Sequence, residues 1–237
     1  MQILSRPVDI ARIWPYFAAL LVIAVLAFWP SYFGNSLLTQ AVYTHFHAIA
    51  ATVWMAMLII QPWLIRKDHY TLHRKIGLAS YAVAPVLMLS FLLLANYRIR
   101  NATPENYQIQ TFILYLQVFL AVLFALSYIL AIVYRHRTEI HARFMVCTGL
   151  TLIDPIFARI LLFTMPFPIE YHQFLTFGLT DLAFLALIFA ERKNLAGRWV
   201  FPLMLGVFVL LQVPAFFAMG SPTWQAFADW FRSIPLT

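Results

Sequence analysis

Charged residues are scarce in this sequence. Only 11% of its 237 residues are charged, whereas 63% are hydrophobic. A soluble domain carries about 25% charged residues, so this chain could not cover its surface in water. A mean hydropathy of +0.80 agrees with that reading. The composition therefore predicts a polytopic integral membrane protein.

Cysteine is nearly absent too, and so are the common soluble-enzyme motifs. The single cysteine, Cys147, lies inside an apolar run, which excludes a disulfide framework and a thiolate metal cage. No Walker, Rossmann or hydrolase-elbow pattern occurs. We therefore expect any function to lie within a helical bundle or at its two faces.

Long apolar segments make up most of the chain. The hydrocarbon core needs about 20 apolar residues per helical crossing, and in lipid the backbone must satisfy its hydrogen bonds within a helix. We predict one all-α transmembrane domain over residues 1–237, with a short C-terminal interfacial helix after Gly220. The seven crossings are predicted at about 13–33, 42–65, 76–97, 111–134, 142–164, 171–190 and 199–219. Kinks or local openings are expected at Pro62, Pro85, Pro155 and Pro214.

The basic residues are distributed unevenly between the two ends of these segments. Twelve of the 16 Lys and Arg residues lie in the N-terminal segment and in or beside the loops after the second, fourth and sixth segments. The positive-inside rule places those loops in the cytosol, with the C-terminus outside. We predict a bacterial inner (plasma) membrane protein that contacts anionic lipid. No nucleic-acid partner is expected, because the cations form no continuous face.

Histidines cluster at the segment ends and are the first candidates for chemistry. His73 begins the third segment in LHRK, and His141 begins the fifth in IHAR. Two histidines at equal depth on different helices can be the axial ligands of a b-type haem. Arg74 and Arg143 would then neutralise the propionates, and His47 with His172 would form a second site near the other face. The leading hypothesis is a membrane-embedded redox or metal-binding protein.

Two other interpretations of the histidines stay open. The four at the predicted cytosolic face could converge on Zn or Fe, with Asp68 or Glu139 nearby: His69, His73, His136 and His141. Histidine also occurs at membrane interfaces without binding any ligand, since an ionisable group near a helix end costs little free energy. The protein could thus hold haem b, hold Zn or Fe, or hold no cofactor.

Three charges lie deep within the predicted segments. Asp154 and Asp181 are about 18 and 15 Å from the nearer helix starts at 1.5 Å per residue, and an unpaired charge at that depth costs about 2.5–3.5 kcal/mol. We expect both to share Arg159, or one of the two carboxyl groups to be protonated. The group would be either a structural ion pair or the floor of an outward polar cavity. Gln61 extends the polar face of the second helix.

These groups support two further functional hypotheses. One is a cofactor-free transporter or sensor, and the other is a structural subunit of a membrane complex. A membrane-protein partner and a small hydrophobic ligand are both candidates for binding.

Two resemblances follow from these motifs. The stretch HFHAIAATVWMAMLIIQPWLI with LHRKIGLASY, and the later IHARFMVCTGLTLIDPIFARI, resemble a family of uncharacterised bacterial membrane proteins, over about 44–159. A remoter likeness is to transmembrane b-type cytochromes of the ascorbate and ferric reductase kind, which carry a Leu-His-x-x-x-Gly helix start. That likeness implies haem ligation by His73 and His141. The fourth segment departs from it by lacking a histidine, so a second haem would need His172.

Overall fold

The computed structural model describes residues 10–34, 37–165, 168–218 and 220–237. Within these ranges the chain forms helices and no strand. The ten α-helices are α1 Trp14–Phe28, α2 Val42–Arg66, α3 Tyr70–Arg100, α4 Tyr107–Val133, α5 Thr138–Leu150, α6 Ile153–Thr164, α7 Ile169–Ala190, α8 Val200–Gln212, α9 Ala215–Ala218 and α10 Pro222–Ser233. A 3-10 turn (Ile10–Ile13) precedes α1, and a π-helical turn (Trp29–Phe33) extends it.

The predicted all-α architecture is confirmed. Seven helical segments of the described chain are long and apolar enough to cross a membrane: Trp14–Phe33, Val42–Arg66, Tyr70–Arg100, Tyr107–Val133, Thr138–Thr164, Tyr171–Ala190 and Val200–Ala218. The composition and the hydrocarbon thickness together are enough to place them.

The third crossing starts earlier than predicted. It begins at Tyr70 rather than near residue 76, after a turn in which Asp68 has a φ of 58°. The apolar pattern marks only the part of a helix that lies in hydrocarbon. Leu72, Arg74 and Lys75, which precede the predicted start at residue 76, are good helix formers and extend the helix into the interface.

Two of the seven crossings are interrupted, beside two of the four prolines at which the sequence predicted kinks or local openings. The fifth is broken at Thr151–Leu152, just before Pro155, and the seventh is broken after Gln212, beside Pro214. A proline lacks the N–H that would bond the carbonyl four residues earlier, and this explains both positions. Pro62 and Pro85, by contrast, lie inside helices that continue past them.

Helices α2 to α5 pack as a four-membered ring. The close pairs are α2 with α3, α3 with α4, α4 with α5, and α5 with α2. Among the described residues, α3 and α5 are not a closely packed pair, so they face each other across the diagonal. Trp54, Phe124 and Phe144 are fully buried in the core that this ring shares with the rest of the bundle.

The remaining crossings flank this ring. Helix α1 packs on α2 and α6, and α7 packs on α6 and α8. The predicted C-terminal helix is present as α10, and one of its faces returns to the bundle. Asn96 of α3 donates from Nδ2 to the carbonyls of Phe231 (2.8 Å) and Ile234 (3.1 Å).

Candidate functional site

His73 and His141 occupy equivalent positions on the two diagonal helices. Each is the fourth residue of its helix, α3 and α5 respectively, and each is partly buried. His73 and His141 therefore occupy matching positions on two helices that lie diagonally in the ring.

The ring of His141 is held by the preceding helix. Its Nδ1 lies 2.8 Å from the carbonyl oxygen of Ala131 on α4. A carbonyl only accepts, so Nδ1 carries the proton and Nε2 keeps its lone pair. Within the described chain, that Nε2 has no hydrogen-bond partner.

The ring of His73 is held by Gln61. We assign the amide orientation of Gln61 from its hydrogen bonds. Its nitrogen donates to the His73 carbonyl (3.1 Å) and to His73 Nδ1 (2.5 Å), and its oxygen accepts from the Gly77 amide (3.0 Å). Nδ1 of His73 is then an acceptor and the proton lies on Nε2. The two Nε2 atoms are thus complementary, a donor on α3 and an acceptor on α5.

Polar side chains continue inward from this pair. Ser80 lies two turns after His73 on the same face of α3, and its hydroxyl is 3.0 Å from the Tyr128 hydroxyl of α4. Trp54 packs edge-on against Tyr128, with ring centroids 5.5 Å apart. Its indole N–H donates to Thr148 Oγ1 at 3.3 Å. Sequence analysis missed these residues, although the seven-residue spacing from His73 to Ser80 was a usable signal.

The wider histidine cluster is not formed. His69 and His136 are exposed, in the turns before α3 and α5. No group of three or more His, Cys, Asp or Glu side chains within the described ranges could hold a metal. His69 and His136 are thus exposed while His73 and His141 are partly buried, and the four-histidine Zn or Fe site stays a prediction without support from the described residues.

The two arginines suggested for propionates lie in different surroundings. Arg74 is exposed. Arg143 is buried and forms an ion pair with Glu191, with Nε to Oε2 at 2.6 Å and Nη2 to Oε1 at 3.0 Å. Arg143 as a propionate partner stays a prediction, and in this structure its guanidinium is paired with the Glu191 carboxylate.

His47 and His172 make separate contacts near the other end of the helices. His47 Nδ1 is 3.0 Å from the Ser90 hydroxyl, and its ring lies 4.6 Å from that of Phe91. His172 Nε2 is 3.2 Å from the Met165 carbonyl, while its buried Nδ1 has no partner within the described residues. No described contact joins the two histidines into a second site.

Asp154 lies at the break between α5 and α6 and is buried. Its Oδ1 accepts from Gln173 Nε2 at 2.5 Å and from Thr176 Oγ1 at 2.6 Å, both on α7. The buried face of α7 is polar over two and a half turns, with His172, Gln173, Thr176 and Thr180. The buried carboxylate is thus satisfied by neutral donors from the neighbouring helix.

The ion pair through Arg159, one of the two expectations for these charges, is not formed among the described side chains. Asp181 accepts from Gln212 Nε2 at 3.0 Å. The Arg159 guanidinium lies 5.4 Å from the Phe28 ring centroid and has no carboxylate partner among the described side chains. Arg159 lies five residues after Asp154, so its side chain points to a different face of α6.

Comparisons with protein-family models, with curated proteins and with solved structures find no match for this chain. The function must therefore be argued from the site itself.

Proposed function

We propose that this protein is a membrane-embedded redox protein that carries a b-type haem between His73 and His141. The observation that carries the proposal is the diagonal placement of the two imidazoles. Each is the fourth residue of its helix, and α3 and α5 face each other across the four-helix ring. Bundles of this kind build cofactor sites from side chains on facing helices.

The hydrogen bonding of His141 fits an axial haem ligand as it stands, and that of His73 would fit after a change of tautomer. A histidine that binds iron through one ring nitrogen donates a hydrogen bond from the N–H of the other to a carbonyl or another acceptor. This bond fixes the ring orientation. His141 already has this arrangement through Ala131. His73 would reach it when Gln61 presents its amide oxygen, instead of its nitrogen, to Nδ1. Gln61 would then set the tautomer of one axial ligand.

The surrounding residues would control access and polarity. A bis-histidine haem supplies one-electron transfer when it is bound. Trp54, Phe124 and Tyr128 form the aromatic wall below the histidines, with Trp54 and Phe124 buried. Such a wall excludes water from the site, and low polarity around a redox centre raises its reduction potential. Two polar contacts remain inside that wall, between the Ser80 and Tyr128 hydroxyls and from the Trp54 indole to Thr148.

Optical spectroscopy of the purified protein tests this proposal. Protein expressed with sufficient haem should show a Soret band and the sharp reduced α-band of a low-spin bis-histidine haem. His73→Ala and His141→Ala should each abolish the low-spin spectrum. The matched controls are His69→Ala and His136→Ala, which remove exposed histidines from the adjoining turns. Colourless wild-type protein after haem reconstitution, or a spectrum unchanged in both site variants, would refute the proposal.

A second candidate function is proton-coupled transport through the α5–α6 break. Broken membrane helices with a buried polar group are a recurring feature of transporter binding sites, and an intramembrane carboxylate is a functional candidate by default. Asp154 is such a group, and the polar stripe of α7 leads from it toward His172.

Proton flux into proteoliposomes, followed with a trapped pH-sensitive dye under a membrane potential, tests this second candidate. Asp154→Asn should abolish the flux, whereas Asp229→Asn, which alters an exposed carboxylate on α10, should leave it unchanged. Equal flux in Asp154→Asn and wild type would reject proton coupling at this position.

A further inference from the structure

The two oxygens of the buried Asp154 carboxylate are bonded unequally. Gln173 Nε2 (2.5 Å) and Thr176 Oγ1 (2.6 Å) both donate to Oδ1, whereas Oδ2 accepts no hydrogen bond from a described residue. Both donors are neutral, and no Lys, Arg or His of the described chain forms an ion pair with this carboxylate. Asp154 therefore has one oxygen without a donor and no counterion, although only 4% of its surface is exposed.

A second oxygen without a donor belongs to the Gln173 side chain. The Gln173 nitrogen contacts both Asp154 Oδ1 and Thr176 Oγ1, the latter at 3.0 Å. The reverse amide orientation would bring two acceptors together, so these contacts fix the orientation. Oε1 of the same rigid amide accepts no hydrogen bond from the described chain. Neither this oxygen nor Asp154 Oδ2 is completely enclosed by protein atoms, so a small ligand can reach both.

The helix break supplies a third oxygen. Pro155 is four residues after Thr151 and has no N–H, so the Thr151 carbonyl lacks its helical donor, and no described backbone amide replaces that donor. Thr151 has right-handed helical angles, with φ −63° and ψ −16°. Its carbonyl therefore points along the chain toward the first turn of α6, where Asp154 lies. In broken membrane helices, carbonyls at the end of the first half coordinate cations.

We propose that the α5–α6 break is a binding site for Na⁺, held by Asp154 Oδ2, Gln173 Oε1 and the Thr151 carbonyl. Hard cations bind carboxylate, carbonyl and amide oxygens. One Na⁺ brings the net charge of the site to zero, whereas a divalent cation would leave a positive charge within the membrane. Because the side chains at this site are already within hydrogen-bond distance of one another, the site favours a small cation over a large one.

The site lies close to one end of α7. Gln173 is four residues after Ile169, where α7 begins, or about 6 Å at 1.5 Å per residue. The preceding His172 bonds the Met165 carbonyl through Nε2 at 3.2 Å, so Nε2 carries the proton and Nδ1 is an acceptor. That Nδ1 is buried and has no partner in the described part of the chain. This end of α7 therefore offers a further acceptor to water molecules that accompany the ion.

The proposal rests on the site of the transport candidate and deepens that candidate by naming a cation. It concerns equilibrium binding, so its test needs no flux and no membrane potential.

Equilibrium binding of radioactive Na⁺ to the purified protein in detergent, at mildly alkaline pH, tests this proposal. Wild-type protein should bind a single Na⁺ per chain, displaceable by excess NaCl but not by choline chloride, whose cation is too large for the site. Asp154→Asn should reduce this binding to background, because the amide carries no charge. The matched control is Asp229→Asn, which removes an exposed carboxylate of α10 and should leave the binding unchanged.

A second variant tests the ligand set even if Asp154→Asn does not assemble. Gln173→Glu places another carboxylate beside Asp154, and two negative charges balance a divalent ion. We expect CaCl₂ to displace radioactive Na⁺ from this variant at concentrations that have no effect on wild type. A purely structural role of Gln173 would lower stability without changing the order in which the site prefers these cations.

Two results would overturn the proposal. One is the absence of saturable Na⁺ binding to folded wild-type protein. If Asp154→Asn still abolishes proton flux in that case, the site takes protons only and the transport candidate stands. The other is Na⁺ binding that persists at the wild-type level in Asp154→Asn. Na⁺ binding without any proton flux would support the cation site and reject proton coupling, so the two proposals can fail separately.

Discussion

Arg143 of α5 and Glu191 at the end of α7 form a two-point ion pair, with Nε to Oε2 at 2.6 Å and Nη2 to Oε1 at 3.0 Å. Both side chains are almost fully buried, with 4% and 2% of their surface exposed. The guanidinium also donates to the Glu139 carbonyl at 2.6 Å, so its bonds join the start of α5 to the end of α7.

Breaking this pair should strongly destabilise the bundle. Removing one partner of a buried ion pair leaves an uncompensated charge, at a cost of about 3–5 kcal/mol. We expect Arg143→Ala and Glu191→Ala each to lower the thermal midpoint in detergent. The double variant Arg143→Met, Glu191→Leu should recover most of the loss, because apolar replacement of both partners leaves no buried charge. A double variant that is no more stable than the single ones would contradict this account.

Gly149 should not tolerate even a methyl group. A Cβ there would lie 2.2 and 2.6 Å from two ring atoms of Phe17, and overpacking of this kind costs about 1–3 kcal/mol. Gly149→Ala should therefore unfold at lower temperature, and adding Phe17→Leu should relieve the clash. Gly178→Ala is the control, because a Cβ at that α7 position meets nothing within 4 Å. If both alanine variants melt alike, Phe17 does not rest on Gly149.

Gln61 should tune the proposed redox site. Gln61→Glu places a permanent acceptor beside His73 Nδ1, so the ring becomes a more basic ligand that favours the oxidised iron. We expect the reduction potential to fall, as measured by redox titration of the α-band. Gln61→Leu removes the hydrogen bond and should weaken haem affinity about 10–100-fold, as loss of a ligand-orienting partner does. An unchanged potential in Gln61→Glu would show that His73 is not an iron ligand.

Asn96 should hold α10 against the bundle. Its Nδ2 bonds the carbonyls of Phe231 and Ile234, and it is fully buried. Asn96→Leu leaves these carbonyls without that donor, at about 1–3 kcal/mol for a buried unsatisfied group. Faster hydrogen exchange confined to α10 amides is the expected readout. Asn101→Ala, an exposed position that bonds only the carbonyl of Tyr97 in its own helix, should leave exchange in α10 unchanged.

What the sequence could predict is the position of a residue along its own helix. His73 and His141 follow the charged turns before the third and fifth crossings, so their height in the bundle is set by the interface. The residues it placed badly depend on lateral neighbours. Asp154 was expected to pair with Arg159 on its own helix, yet its partners, Gln173 and Thr176, are on α7.

The sequence by itself determined the seven crossings, because each apolar run must match the thickness of the hydrocarbon core. It also predicted the position of the charged and imidazole groups along their helices, because the helical rise is constant. Only the tertiary structure decided that α3 and α5 lie diagonally in the four-helix ring, that Glu191 forms an ion pair with Arg143, and that α1 and α7 enclose a cleft. The physical reason is that lipid is as apolar as a leucine side chain. Which helices are neighbours in a membrane is therefore decided by close packing and by hydrogen bonds between residues distant in sequence. The hydrophobicity pattern of a single helix predicts neither.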